Sequence, residues 1–215
     1  MSKLLLVFLL SISSAFAGDC DNLYYNHKPV IIANTIELCN SFYVVAYSVP
    51  MRGPIASFER FDASVPSVPR KDAFRADSRV PSRGRAQLSD YRNSGFDRGH
   101  LTPAGDASTP TEMFDTFLLS NMTPQSKKLN EIAWKSLEEH VRHTARGITY
   151  VATIAIYGPA TIGENKLPIP AGYYKVIWYS THTVEAFYAN NSDDARVSQV
   201  SLQDVVSHTG ITFSQ

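Results

Sequence analysis

The chain has little cysteine, no net charge and no long apolar run beyond its first residues, and each shortage narrows what it can be. Cys20 and Cys39 are its only cysteines. Two cysteines cannot fill a closed zinc site, which takes four ligands, and His140 and His143 have no matching ligand set. In an exported chain an even pair is most simply a disulfide, here with 18 residues between its ends. A two-cysteine metal site and a catalytic thiol are the weaker alternatives. The chain carries 20 Lys and Arg against 20 Asp and Glu. Bulk charge therefore does not announce a polyanion partner. Repeats, heptads, low-complexity tracts and inter-domain linkers are also missing.

What is there begins with an export leader. Lys3 gives the positive start, Leu4 to Leu10 is apolar without a break, and Ser13-Ser14-Ala15-Phe16-Ala17 offers a small-x-small cleavage pattern. The apolar core is too short for a stable membrane anchor. The expected organisation is a signal peptide over 1–17 and a single domain over 18–215. That domain would be secreted or periplasmic, with no membrane attachment after cleavage.

Charge is unevenly spread. From Arg70 to Arg98 lie Arg70, Lys71, Arg75, Arg79, Arg83, Arg85, Arg92 and Arg98, opposed only by Asp72, Asp77, Asp90 and Asp97. A solvated face explains such a stretch, and so does a phosphate-binding groove. Seven of the eight are arginine, whose planar fork suits bidentate contact with phosphate oxygens.

Val30 to Ala33 and Phe42 to Val49 are rich in β-branched and aromatic residues and predict strands. The proline- and arginine-rich stretch Pro50 to Arg92 predicts turns and loops with short strands. Ala133, Leu137 and Val141 recur every four residues and predict a helix over Leu129 to about Thr144, opened by Asn130. Ile148 to Tyr157, Tyr173 to Tyr179 and Thr183 to Tyr188 read as strands of a central sheet. Ser201 to His208 reads as a short helix stopped by Gly210. Strands outnumber helices and come in hairpin-like sets, which predicts an α+β fold with a central, mainly antiparallel β-sheet and flanking helices.

The chemistry concentrates in three runs: Phe96-Asp97-Arg98-Gly99-His100-Leu101-Thr102-Pro103-Ala104, Leu119-Ser120-Asn121-Met122-Thr123-Pro124-Gln125, and Leu129-Asn130-Glu131-Ile132-Ala133-Trp134. A neutral imidazole can take a proton from water near neutral pH, so His100 is a candidate general base. A structural or surface histidine is the plainer alternative. Gly99 allows close backbone approach beside it. Asn130, Trp134, Glu138 and Arg142 would form one helical ridge, from which the three polar side chains look into one cleft. Asn130 brings a hard amide oxygen suited to Mg²⁺, which keeps several waters and takes few protein ligands. Asn130 as a helix cap and Glu138–Arg142 as a surface pair remain the alternatives.

The runs Asp-Arg-Gly-His, Ser-Asn-Met-Thr-Pro-Gln, Leu-Asn and Trp-x-x-Leu-Glu, at these spacings, resemble the DNA/RNA non-specific endonuclease family. Its members carry a ββα-metal (His-Me finger) site and include endonuclease G and secreted bacterial nucleases. The resemblance spans at least Arg70 to Lys175, and Ile169-Pro170-Ala171-Gly172-Tyr173-Tyr174-Lys175 is similar to the family's proline-then-aromatic-Lys strand. It implies that His100 is the general base and Asn130 the direct ligand of Mg²⁺, or of Mn²⁺ or another divalent cation in its place. Glu138 would hold water in the metal's shell. Asn121 would fix the geometry near His100, Asp97 would orient neighbours, and Arg98 and Arg142 would bind phosphate. The upstream phosphate-binding arginine falls on Arg70 or on Arg75.

The activity so implied is hydrolysis of DNA and RNA by a sugar-non-specific endonuclease leaving 5′-phosphate ends. A site that grips phosphate and sugar carries little base information. The rival from another class is a catalytically inactive nucleic-acid- or polyanion-binding protein of the same fold. Monomer and homodimer are both open, and nothing recognisable as a dimer signature separates them.

Overall fold

The computed structural model describes residues 20–31 and 33–213. The leader expected over 1–17 lies outside them. Seven strands make one sheet: β1 (Ile36–Cys39), β2 (Tyr43–Ser48), β3 (Gly53–Asp62), β6 (Ile148–Ile162), β7 (Leu167–Trp178), β8 (Val184–Asn190) and β9 (Ser198–Val200). They lie in that order across the sheet. Every neighbouring pair is antiparallel. Between β3 and β6 the chain leaves the sheet and builds the other elements: α1 (Leu88–Tyr91), β4 (Asp97–His100), α2 (Pro110–Thr116), β5 (Met122–Gln125) and α3 (Lys135–Thr144). A C-terminal helix, α4 (Leu202–Thr209), follows β9. The fold is α+β.

Both faces of the sheet are covered, and β2 shows why the sequence demands it. All six of its residues are buried. Tyr43, Val45 and Tyr47 enter the cluster under α3, while Val44 and Ala46 enter the cluster on the opposite face. A strand apolar on both sides has to lie between two layers. On the α3 side Leu137, Val141, Leu129 and Trp134 pack against Val151, Tyr173 and Ile177 of the sheet. On the other side the N-terminal segment around Leu23 and Tyr24 meets α4 through Val205.

The helices begin and end where their sequences direct. Thr109 accepts from the Glu112 N–H, the Glu112 carboxylate returns to Thr109, and Pro110 occupies the first turn. Ser201 and Asp204 repeat this box before α4, and Gly210 ends it in the left-handed region at φ 67°.

Three expectations need correction. Of the stretch Val30 to Ala33, Ile32 lies outside the described residues and Val30 makes only an isolated bridge to Thr212; the first strand among the described residues is Ile36–Cys39. The stretch from Pro50 holds more than the short strands expected among its turns and loops, because Gly53–Asp62 is a ten-residue strand in the middle of the sheet. Its Gly53-Pro54 start and its charged Glu59 and Arg60 disguise it. Glu59 is nevertheless 1% exposed. Finally, Asn130 does not open the helix. Helical winding starts at Lys127, the Asn130 N–H donates to the Ser126 carbonyl at 2.9 Å, and Leu129–Trp134 is a π-helical turn leading into α3.

Candidate active site

β4 and β5 pair as a two-stranded antiparallel ribbon, with Asp97 opposite Gln125 and His100 opposite Met122. The π turn and α3 follow β5, so the chain makes a ββα unit. Gly99 is what lets the ribbon close. A Cβ placed there would stand 2.2 Å from Gln125 Oε1 and 2.5 Å from Gln125 Cβ, so any other residue would have to push the Gln125 side chain aside.

The unit frames a cleft of about 610 Å³ lined by Arg70, Arg98, His100, Asn130, Glu138 and Arg142. Six residues singled out from the sequence thus meet in one place. Trp134 is not among them. It is 1% exposed and packs on Tyr173 at 5.6 Å between ring centroids. A π turn carries more residues per turn than an α-helix, so residues four apart within it no longer share a face. The expected ridge is broken at Trp134 and resumes at Glu138.

His100 is half-buried, its ring 5.1 Å from the ring of Phe117 and 5.9 Å from that of Phe74. Its Nε2 is buried with no protein hydrogen-bond partner. Burial, with the guanidinium groups of Arg70 and Arg98, lowers its pKa to about 3. The imidazole is therefore neutral at physiological pH, the form able to accept a proton.

The Asn130 amide nitrogen donates to Asp97 at 2.9 Å. That commitment leaves the amide oxygen as the end able to meet a cation. Burial raises Glu138 to about 7, with Lys175 and Arg142 pulling it down and Asp106 pushing it up. Glu59, Asp106 and Glu138 interact in this region with Arg142 and Lys175, and burial raises all three carboxyls. A carboxyl group and an amide oxygen lining one cleft suit a divalent cation, whose charge would favour the ionised form.

Arg142 does not pair with Glu138 on the surface. Its Nη1 is 2.9 Å from Asp106, a carboxylate with a 4% exposed side chain. Gly105 leaves room for the guanidinium, since a Cβ there would stand 2.9 Å from Arg142 Nη1. Asn121 is wholly buried. Its amide oxygen accepts from the Thr102 N–H at 3.0 Å, and its nitrogen donates to the carbonyls of Thr102 and Thr116. It touches no part of the cleft and braces the loop after His100.

The two candidate arginines separate. Arg70 lines the cleft, its guanidinium 5.1 Å from the Phe117 ring centroid. Arg75 points away to α2, stacks on Phe114 at 3.4 Å and donates to the carbonyls of Phe114 and Ala73. Alternate residues of the segment, Arg70, Asp72 and Phe74, line a side pocket of about 280 Å³ with Arg98 and Asn130. This two-residue alternation turns Arg75 outward. The expectation of Arg75 in the cleft is therefore corrected.

Sequence reasoning missed Asp106, Phe74, Phe117, Glu131 and Lys135, the last two also lining the cleft. The Arg70-x-Asp72-x-Phe74 alternation could have revealed Phe74. Asp106 follows Gly105 with no periodic signal to mark it. The cysteines are joined as a Cys20–Cys39 disulfide with 5.9 Å between Cα atoms.

The family model of the DNA/RNA non-specific endonucleases matches residues 21–215. Mitochondrial endonuclease G of Homo sapiens is 35% identical over 156 residues, covering 63% of this chain and 52% of its own. Nuclease C1 of Cunninghamella echinulata var. echinulata is 32% identical over 202 residues, covering 80% of this chain and 79% of its own. A chain in a crystal structure of the EndoG/EndoGI complex superposes with a TM-score of 0.79 at 29% identity, over 93% of both chains. The chain spans about half the length of the human and Bos taurus endonuclease G relatives, 52% and 51%.

Proposed function

The chain belongs to the DNA/RNA non-specific endonuclease family, and on that premise we propose that it is an exported, metal-dependent endonuclease hydrolysing phosphodiester bonds in DNA and RNA. The observation carrying the reading is that His100, Asn130, Glu138 and three arginines line one cleft, with His100 Nε2 free of any protein partner. Neutral His100 takes a proton from a water, which attacks the phosphorus in line with the leaving 3′ oxygen. A 5′ phosphate stays on the downstream fragment. Arg70, Arg98 and Arg142 grip the phosphate and neutralise charge as it builds. Asp97 fixes the Asn130 amide, and Asn121 fixes the loop that carries His100. Asn130 would hold Mg²⁺ directly and Glu138 through water, and the ion when bound supplies further charge neutralisation at the phosphate.

Contacts of this kind read backbone rather than base edges, which fits cleavage of DNA and RNA without sequence preference. The disulfide supports export to an oxidising compartment as a single domain over 18–215. Among the described residues no helix is long and apolar enough to cross a membrane.

Plasmid DNA and a mixed-sequence RNA incubated with Mg²⁺ test the reading. The wild type should degrade both, lose activity in EDTA, and leave 5′-phosphate ends. His100→Ala should lose about a thousandfold or more of the rate and still bind DNA, since a general base contributes roughly 10²–10⁴-fold. Intact plasmid with Mg²⁺ would instead support a binding protein of the same fold, and persistence in EDTA would remove the metal.

A further inference from the structure

We propose that Phe74 is the positioning residue of the cleft: with Phe117 it forms the aromatic wall that sets the guanidinium planes of Arg98 and Arg70 and the ring of His100. The inference rests on the nuclease reading, to which it adds a residue that touches neither phosphate nor metal. The two phenyl rings meet edge to face, 4.8 Å apart and 90° between planes. Arg98 lies over the Phe74 ring at 4.1 Å, and Arg70 lies over Phe117 at 5.1 Å. His100 contacts both rings. Arg98, Arg70 and His100 thus rest on the same pair of rings.

The backbone places the wall. The Arg75 N–H donates to the Phe117 carbonyl at 3.1 Å, and the Leu119 N–H donates to the Arg75 carbonyl at 2.8 Å. These bonds hold the strand-like Phe74 segment beside Phe117, which is fully buried. Phe74 itself is only half-buried and lines the side pocket next to Arg98.

The physical need is clear. Arg98 is exposed, and none of the hydrogen bonds or ion pairs among the described residues fixes its guanidinium. A free arginine of that length samples many rotamers, and ordering it on the substrate costs side-chain entropy. Stacking on a ring face removes part of that cost before the substrate arrives. Phe74 thereby contributes through Arg98.

A double-mutant cycle tests this, read both as plasmid cleavage with Mg²⁺ and as anisotropy of a fluorescent oligonucleotide in EDTA. Phe74→Leu keeps the volume and removes the ring face, and should slow cleavage and weaken binding by about fivefold to tenfold. Phe74→Tyr keeps the face and should stay within about twofold of wild type. In an Arg98→Ala background, Phe74→Leu should weaken binding by at most about twofold more, because the guanidinium that stacks on its ring face is gone. Equal losses from Phe74→Leu in both backgrounds would overturn the proposal. So would an unaltered Phe74→Leu, or matching losses in the Leu and Tyr variants accompanied by matching falls in thermal midpoint. A wild type that binds DNA without cutting it would overturn the nuclease reading alone, since the binding arm still measures the coupling.

Discussion

Arg70 and Arg75 stand five positions apart in one basic segment, yet each guanidinium has a different task. Arg70 faces the cleft, while Arg75 spends its donors on the carbonyls of Phe114 and Ala73. Arg70→Ala should reduce DNA affinity and lower the slope of log affinity against log salt by about one, the signature of a lost phosphate contact. Arg75→Ala should leave that slope unchanged and lower stability by about 1–2 kcal/mol, from the lost stacking and hydrogen bonds. Binding at several salt concentrations, with thermal melts beside it, separates the two. Asp77 is a second residue whose chemistry is structural. It is 2% exposed, and burial alone would raise its pKa. Hydrogen bonds from Arg79 and Ser120, with the Arg79 charge, outweigh burial and hold it below the ordinary carboxyl value. A depressed folded pKa means that this stabilisation is complete above the unfolded value of about 3.9 and is lost as pH falls through the folded value. The wild-type melting midpoint should therefore drop more steeply below about pH 4 than that of Asp77→Asn. At neutral pH the variant should be less stable, by about 2 kcal/mol. Parallel pH-dependent melts sink the assignment if the acid limb is the same for both.

At the scale of elements, the ββα unit depends on a ribbon only as wide as a glycine allows. Gly99→Ala sets a methyl against the Gln125 side chain, which lies opposite in β5. Overpacking of this kind costs about 1–3 kcal/mol, and displacing a catalytic group by about 1 Å can cost on the order of a hundredfold in rate. The variant should fold, melt a few degrees lower, and lose at least about tenfold in turnover. Full activity would show that the ribbon yields without moving His100. These elements were unequally legible in sequence. β2 and the stripe of Ala133, Leu137 and Val141 were plain because apolar periodicity follows burial directly. β3 was not, since Gly53 and Pro54 look like a turn and the buried Glu59 looks like a solvent residue. Burial raises the Glu59 carboxyl well above its ordinary value while Lys175 and Arg142 pull it the other way, and that environment joins segments far apart in the chain. The π turn was equally hidden. It depends on how Leu129 and Trp134 seat in the core, so the ridge assumed from regular α-helical spacing placed Trp134 on the wrong side.

For the whole molecule, the sheet separates two tasks. The α3 face carries the cleft, and the opposite face carries a packing layer formed by the N-terminal segment and α4. The site was legible as a set of motifs because Arg98, His100 and Asn130 sit in short runs and Glu138 and Arg142 continue the helix after them. Its supports were not, since Phe117, Asp106 and Lys175 join it only through the fold. The Cys20–Cys39 disulfide belongs to the packing layer, tying the start of the described chain to β1 at the edge of the sheet. A bridge of this loop length stabilises by roughly 3 kcal/mol, largely by restricting the unfolded chain. For a domain of this size that corresponds to roughly 6–12 °C in midpoint. Dithiothreitol, or a Cys20→Ser/Cys39→Ser variant, should lower the midpoint by about that amount. Nuclease activity at 25 °C should be unchanged, because among the described residues no hydrogen bond or ion pair ties His100, Asn130, Glu138 or the cleft arginines to the bridged segment. If instead reduction abolished cleavage while the melt still showed a folded protein, the two faces would have to be coupled through the sheet. In that case the N-terminal segment would be part of the working site rather than its cover.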